Sequence, residues 1–341
     1  MKILVTGADG YIGCVLGPYL MDRGHHVVGV DSGYYREGTL YNPGSGRSPE
    51  LLTKDIRNLT VEDLSGFDAV AHLAELSNDP LGQLNPTITY EINHLGSVEL
   101  AKKCIEAGAS RFVYTSSCSV YGIGNDDFKT EESDLNPQTA YAECKVYVER
   151  DVSALAGDNF SPTFLRNATA YGTSPRQRFD VVLNNLAGFA WTMKEIRVTS
   201  DGTPWRPLVH ILDICQAIAC SLEAPRELVH REIFNVGHTD HNYRVREIAE
   251  IVAGAFPACG LSIGDSGGDN RSYRVSFDKI AEKLPGFEIE WDAAAGAEQF
   301  RNLFERIQMS PETFEFRAFT RLKQLEYLIR TSQLDDHFFW T

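Results

Sequence analysis

The sequence predicts an α/β protein built on a doubly wound parallel sheet, with a smaller, mainly C-terminal lobe beside it. Three observations carry this. Short apolar runs alternate with helical patterns through the first half, the order that parallel strands joined by right-handed crossovers require. Most of these runs are continuously apolar, as in strands covered on both faces. The first run leads into a glycine-spaced turn that opens a helix.

Strands are expected at 3–6, 26–30, 51–54, 69–73, 112–115 and 163–165, with helices such as 91–107 and 139–155 between them. Residues 32–50, rich in Gly, Tyr, Pro and Ser, read as a long surface loop. Residues 171–180, with Pro175, Arg176 and Arg178, read as an irregular loop leaving the sheet. The run 233–236 is expected to return to it, and 245–255, 277–284, 293–307 and 318–331 are expected helices. At ~150 residues per domain, 341 residues suggest about two units. We draw them as 1–172 with 205–238 returning, and 173–204 with 239–341.

Acidic residues outnumber basic ones 47 to 32, a net charge of −15. A field of that sign repels phosphate backbones and argues against nucleic-acid binding. No apolar run approaches the ~18 residues of a membrane span. The opening Met1–Gly7 segment is too short for a secretion signal. Seven scattered cysteines without a C-x-x-C pair disfavour a disulfide framework and a zinc site. The expectation is a cytoplasmic protein with reduced thiols and no metal.

Glycines 7, 10 and 13 form G-x-x-G-x-x-G between the first strand and its helix. The first glycine permits the turn, the second lets backbone approach a pyrophosphate, and the third allows close helix–strand packing. The helix N-terminus offers N–H donors to the phosphates. This is a Rossmann-type dinucleotide signature. Asp31 ends the second strand 18 residues beyond Gly13, near the ~20 typical of the acid that binds the adenosine ribose. An acid there repels a 2′-phosphate, which favours NAD over NADP. Asp55 and Ile56, after the third strand, are candidate adenine contacts. A strand-end acid paired with Arg57 is the alternative.

Tyr141 and Lys145 stand at i and i+4 on one helix face. A phenol of pKa ~10 is a poor base at neutral pH. A neighbouring ammonium and a cationic nicotinamide favour its phenolate, which takes a proton from a sugar hydroxyl. Ser116, Ser117 and Ser119 cluster at a strand end on the carboxyl edge of the sheet, where ligands bind in such folds.

Taken together these residues resemble the extended short-chain dehydrogenase/reductase superfamily, in its nucleotide-sugar epimerase and dehydratase branch. The resemblance runs over residues 1 to about 285. It rests on T-G-x-x-G-Y-I-G at 6–13, which includes Tyr11 and Ile12, and on His72-Leu73-Ala74, Asn93 and the Ser–Tyr–Lys set. It continues in Leu165-Arg166-Asn167-Ala168-Thr169-Ala170-Tyr171-Gly172 and in Arg206-Pro207-Leu208-Val209-His210. It implies bound NAD, a nucleoside-diphosphate sugar as substrate and a homodimer through helices 91–107 and 139–155. It implies Ser117 as the catalytic serine, four residues before Tyr121. Tyr11, Ile12, Leu73, Ala74 and Asn93 are implied at the cofactor. Asn167, Asn185, Arg206 and Arg271 are implied near the substrate or its diphosphate.

Two departures matter. The 4,6-dehydratases of this branch typically carry Asp-Glu after the catalytic Ser/Thr, whereas this chain has Cys118-Ser119, which argues against water elimination. Glu75 stands where a small residue is usual. Its carboxylate serves either proton transfer, a substrate hydroxyl, or a hydrogen-bonded strand end. Cys118 is read as packing in preference to an acid–base role, and His72 as a hydrogen-bonded core residue. The leading expectation is an NAD-dependent nucleotide-sugar epimerase acting at C4. A keto-sugar reductase or dehydrogenase on the same site is the alternative, and a non-catalytic NAD-binding regulator the third.

Overall fold

The structure, a computed structural model, describes residues 1–42, 44, 46, 48–123, 127–265 and 272–341. Seven parallel strands form the central sheet. From edge to edge they are Ile233–Val236, Ser161–Asn167, Arg111–Ser117, Ala69–His72, Lys2–Thr6, His26–Asp31 and Glu50–Thr53. The chain leaves Lys2–Thr6 toward one edge, then crosses back to Ala69–His72 on the other side of the first strand. The connections after those two strands therefore diverge and open a crevice at their carboxyl ends, the usual ligand position in such sheets.

Both faces are covered. Helices Gly13–Asp22 and Ile211–Glu223 pack Leu16, Leu20, Ile214 and Ile218 against one face. Helices Ser97–Glu106 and Ala140–Ser153 pack Leu100, Cys104, Val148 and Val152 against the other, over Phe112 and Phe164. Two local expectations change. Residues Tyr90–Gly96, expected as plain α-helix, wind as a π-helical segment ahead of Ser97–Glu106. Strand Glu50–Thr53 is exposed along its whole length, because it is the edge of the sheet.

The later half builds a second core from helices Val182–Thr192, Val245–Ala255 and Ala293–Ile307, with Leu183, Ile248, Val252, Phe300 and Phe304 buried among them. A three-stranded sheet of Thr169–Tyr171, Trp205–His210 and Asn242–Arg244 lies beside it. Helix Arg321–Arg330 and the tail after it do not join this core. Leu325, Leu328, Leu334 and Phe338 bury themselves with Tyr34, Leu76, Leu81, Ile88 and Ile92. The second unit drawn through to 341 thus loses its last stretch to the sheet side, since the apolar stripe of that helix meets residues of the 76–92 segment.

Candidate active site

A cavity of about 540 Å³ follows the crevice from the glycine turn to the serine cluster. Its dinucleotide end is made by close backbone approach. Gly7 sits at φ 71°, and a Cβ there would lie 2.9 Å from the Ala74 amide nitrogen. A Cβ on Gly13 would lie 2.1 Å from the Gly7 carbonyl oxygen. Helix Gly13–Asp22 has Ile12 at its N-cap and no side-chain cap; the Cys14, Val15 and Leu16 amides already donate to the Gly10 and Ile12 carbonyls, which leaves the Ile12 and Gly13 amides of the turn for a ligand. Asp31 lines the same end. One of its oxygens accepts from the Gly33 amide (2.7 Å) and the other from the Asp9 amide (3.0 Å). Burial pushes its carboxyl upward, while those two amides pull it down. These features fit NAD: bare amides for a pyrophosphate, glycines that leave room for it, and a carboxylate with lone pairs left for ribose hydroxyls.

Most expected cofactor residues line the cavity: Gly7, Gly10, Tyr11, Ile12, Gly13, Asp31, Asp55, Ile56, Leu73 and Ala74. Two bear on it differently from expectation. The Tyr11 hydroxyl is occupied elsewhere, donating to the Gly172 carbonyl (2.7 Å) and accepting from Asn184 (2.9 Å). Asp55 holds Arg57 through both its oxygens at 2.9 Å, the strand-end pairing weighed above. Asn93 does not line the cavity. Its amide clasps the backbone of Leu76 from both sides, at 2.8 and 3.1 Å, so it braces the segment after Glu75.

The other end gathers Ser117, Tyr141, Lys145, Glu75, Ser119, Asn167 and Arg206. Strand Arg111–Ser117 ends there, and the Thr139 hydroxyl caps helix Ala140–Ser153, which aims Tyr141 and Lys145 inward. Ser117 lines the cavity with Tyr141, and its hydroxyl accepts from the Ser119 amide (3.1 Å). The Lys145 ammonium lies 5.3 Å from the centre of the Tyr141 ring and donates to the Thr115 carbonyl. Its charge is already matched, because it forms a buried ion pair with Glu75, to which the Tyr114 hydroxyl also donates. Burial holds the Tyr141 phenol protonated, the Glu75 and Asp79 charges add to that, and Ser117 and Arg178 oppose it. The expectation that Lys145 and a cationic nicotinamide together favour the phenolate is therefore corrected in its first half, since Glu75 matches the lysine charge.

Two expected substrate residues face away. Cys118 is buried with its thiol donating to the Arg166 carbonyl (3.1 Å), and burial drives that thiol well up. Asn185 donates to the Phe179 carbonyl (2.9 Å) and does not line the cavity. Arg271 lies outside the described residues. His72 is fully buried between Thr6 (2.6 Å) and Ser97 (2.7 Å), and burial with the nearby Lys145 charge lowers it to about 3. It is a neutral core residue.

The sequence reading missed Arg178, Asp180 and Arg321, which also line the cavity. Arg178 pairs with Asp180 at 2.8 Å, and its Nη2 is buried with no hydrogen-bond partner among the described residues. The loop that carries it is fastened over the glycine turn by Arg176, which grips Asp9 at 2.7 and 2.9 Å. The only signal was the arginine pair in an irregular loop. Among the described residues no helix is long and apolar enough to cross a membrane, and no three His, Cys, Asp or Glu side chains gather as a metal site.

A model of the NAD dependent epimerase/dehydratase family matches residues 3–237. A UDP-glucose 4-epimerase of Corynebacterium glutamicum is 30% identical over 268 residues, 74% of this chain and 79% of that one. UDP-glucose 4-epimerase GEPI42 of Cyamopsis tetragonoloba is 27% identical, covering 87% of this chain and 91% of its own. The solved structure of MoeE5 with UDP-glucuronic acid and NAD superposes with a TM-score of 0.77 at 26% identity, over 90% of this chain and 99% of that one.

Proposed function

Because the chain belongs to the NAD dependent epimerase/dehydratase family, we propose that it is a nucleotide-sugar 4-epimerase working through a transient 4-keto sugar. The observation that carries this is the convergence of Ser117, Tyr141 and Lys145 in the cavity that also holds the glycine turn and Asp31. The bound NAD supplies a hydride acceptor that becomes the donor for the return step. Tyr141 takes the proton of the sugar 4-hydroxyl and gives it back after the keto sugar has turned its other face. Ser117, which lines the same cavity as that phenol, orients the sugar oxygen. Asp31 and the glycine-turn amides hold the dinucleotide, and Lys145 positions the nicotinamide ribose. Asn167 lines the cavity with its buried carbonyl oxygen unpartnered among the described residues, an acceptor for a sugar hydroxyl. Arg206 takes the diphosphate.

The carboxylates lining the cavity support epimerisation over elimination. Asp31 is held by amides, Asp55 by Arg57, Glu75 by Lys145 and Asp180 by Arg178, and Asp79 accepts from the Thr139 hydroxyl. Ser119 brings a hydroxyl where a dehydratase needs an acid. The two relatives described above are UDP-glucose 4-epimerases, so UDP-glucose is the first substrate to test. Purified protein incubated with UDP-, GDP-, CDP- and TDP-hexoses in deuterated water should yield a C4 epimer without consuming added NADH and without carbon-bound deuterium. Stoichiometric NADH consumption, loss of water, or deuterium at C3 or C5 would overturn the reading.

Arg178 favours a second reading, in which the sugar carries a carboxylate. Its unpartnered Nη2 is buried, and its charge acts on Tyr141. On this reading UDP-glucuronic acid outcompetes UDP-glucose as substrate. We also propose a homodimer through the faces of helices Ser97–Glu106 and Ala140–Ser153. Light scattering at a monomer mass would remove it.

A further inference from the structure

We infer that Glu75 is a built-in counter-ion of Lys145, which leaves the reaction centre without net charge until a cationic nicotinamide ring occupies the cavity, so that Tyr141 releases its proton only beside the oxidised cofactor. The inference deepens the function proposed above and rests on its premise that Tyr141 and Lys145 face NAD. It makes Glu75 a positioning residue, acting through Lys145 on the phenol.

The pair is sealed from solvent, with side-chain exposures of 4% for Lys145 and 3% for Glu75. It has a complete set of partners. Tyr114 donates to one Glu75 oxygen, Lys145 pairs with the other, and Lys145 also donates to the Thr115 carbonyl. Lys145 further lies 4.6 Å from the Tyr114 ring centre. An isolated buried carboxylate or ammonium is costly, and each removes the cost of the other. Wherever their shared proton resides, the two side chains together carry no charge. The phenol of Tyr141 therefore sees a dipole where a bare lysine would present a cation.

The other titratable groups around this centre add no net positive charge to it. His72, on the preceding strand, is neutral. Tyr114 and Cys144 are held protonated, burial being the largest cause for each. Glu149 is occupied by Arg166 at 2.7 Å, and Arg178 by Asp180 at 2.8 Å. Asp79, which accepts the Thr139 hydroxyl, adds a negative charge near Tyr141. The protein thus supplies little net positive charge to stabilise a phenolate, and the oxidised nicotinamide ring becomes the deciding cation. Bound oxidised nicotinamide would then favour the phenolate that takes the sugar proton, and the reduced ring would favour the phenol that returns it. A phenol that reprotonates as soon as the ring is reduced is poised to hand its proton to the keto oxygen.

The test follows the Tyr141 phenol directly, using protein labelled with 13C at tyrosine Cζ and the Tyr141 resonance assigned by its loss in Tyr141→Phe. In the wild-type protein, the reduced-cofactor complex should remain protonated to a higher pH than the oxidised-cofactor complex. In Glu75→Gln, the ionisation midpoint with NADH should fall by one pH unit or more, a tenfold change in the equilibrium. Glu75→Asp, which keeps the charge, should stay near the wild type. Equal midpoints for wild type and Glu75→Gln would overturn the inference. Should Glu75→Gln fail to fold, a wild-type midpoint that is the same with NAD and NADH overturns it equally. The measurement needs no sugar, so a chain that shows these shifts yet epimerises no sugar nucleotide refutes the proposed reaction and leaves the counter-ion standing. In cofactor-free protein the same Glu75→Gln comparison applies, with the same direction expected.

Discussion

The two ends of the cavity are built by different means. The dinucleotide end is almost entirely backbone. Gly7, Gly10 and Gly13 are there for what they lack, and their tolerances are set by atoms in the same turn or the adjoining strand end. The catalytic end is almost entirely side chain. Glu75, Tyr114, Tyr141 with Lys145, and Arg178 come from four stretches of chain and acquire their properties from one another. A backbone site is specified by local sequence and works once its strand and helix form. A side-chain site is specified only by the finished fold, and its charges decide its chemistry.

The sharpest test of that contrast is at the catalytic end. Tyr141→Phe keeps the ring and its packing but removes the proton carrier, and should lower kcat by about 10²–10⁴-fold, the usual worth of a positioned acid–base group. NAD affinity, measured by titration calorimetry, should hardly change. A variant that loses NAD binding and turnover together would erase the division between the two ends. Gly13→Ala probes the opposite end. Its methyl would sit 2.1 Å from the Gly7 oxygen, and overpacking of this kind costs about 1–3 kcal/mol. NAD affinity should fall by roughly 5- to 150-fold on that scale, with kcat at saturating NAD close to that of the parent.

The same contrast explains what the sequence revealed. The strand positions were legible because buried parallel strands are continuously apolar and the glycine turn marks where the first one ends. Asp31 was legible because its distance from that turn is fixed by one helix and one strand. Tyr141 and Lys145 share a helix face, so their pairing could be read from spacing. Glu75 was visible as an oddity, but its partner was not, since Lys145 reaches it only across the sheet end. Asn93 misled because its amide serves the Leu76 backbone, which only the folded 76–93 segment brings to it. Asn185 misled in a similar way, spending its amide on the Phe179 carbonyl, whereas Cys118 packs in the core as its reading had it. Arg178 and Arg321 were invisible, lying in a loop and a C-terminal helix with no pattern that points them at a cavity.

A smaller effect is expected at Asp31. Asp31→Asn keeps the shape but loses the charge in its hydrogen bonds to the ribose. Bonds to charged groups contribute about 1.5–3 kcal/mol against about 0.5–1.5 for neutral ones. The difference should weaken NAD binding by roughly 5- to 15-fold, measured by calorimetry. NADP, repelled by the native carboxylate, should lose less. An unchanged preference for NAD would mean that another group excludes the 2′-phosphate.

The smallest effect comes from a place where distant sequence supports the backbone end. The C-terminal tail packs on the 32–36 loop beside Asp31. Trp340 donates to the Ser32 carbonyl at 2.6 Å, the Tyr34 hydroxyl donates to the Phe338 carbonyl at 2.5 Å, and Arg36 lies 4.7 Å from the centre of the Trp340 ring. Ser32, Tyr34 and Tyr35 in turn line the dinucleotide end. Trp340→Ala removes one neutral hydrogen bond and an exposed cation–π contact, each about 0.5–1.5 kcal/mol or less. Only the part coupled to the loop's position enters NAD affinity. Binding should weaken by about two- to fivefold, near 0.5–1 kcal/mol, with kcat at saturating NAD unchanged. A larger loss, or one that appears in kcat, would show that the dinucleotide end also depends on assembled side chains, and the contrast between the two ends would narrow accordingly.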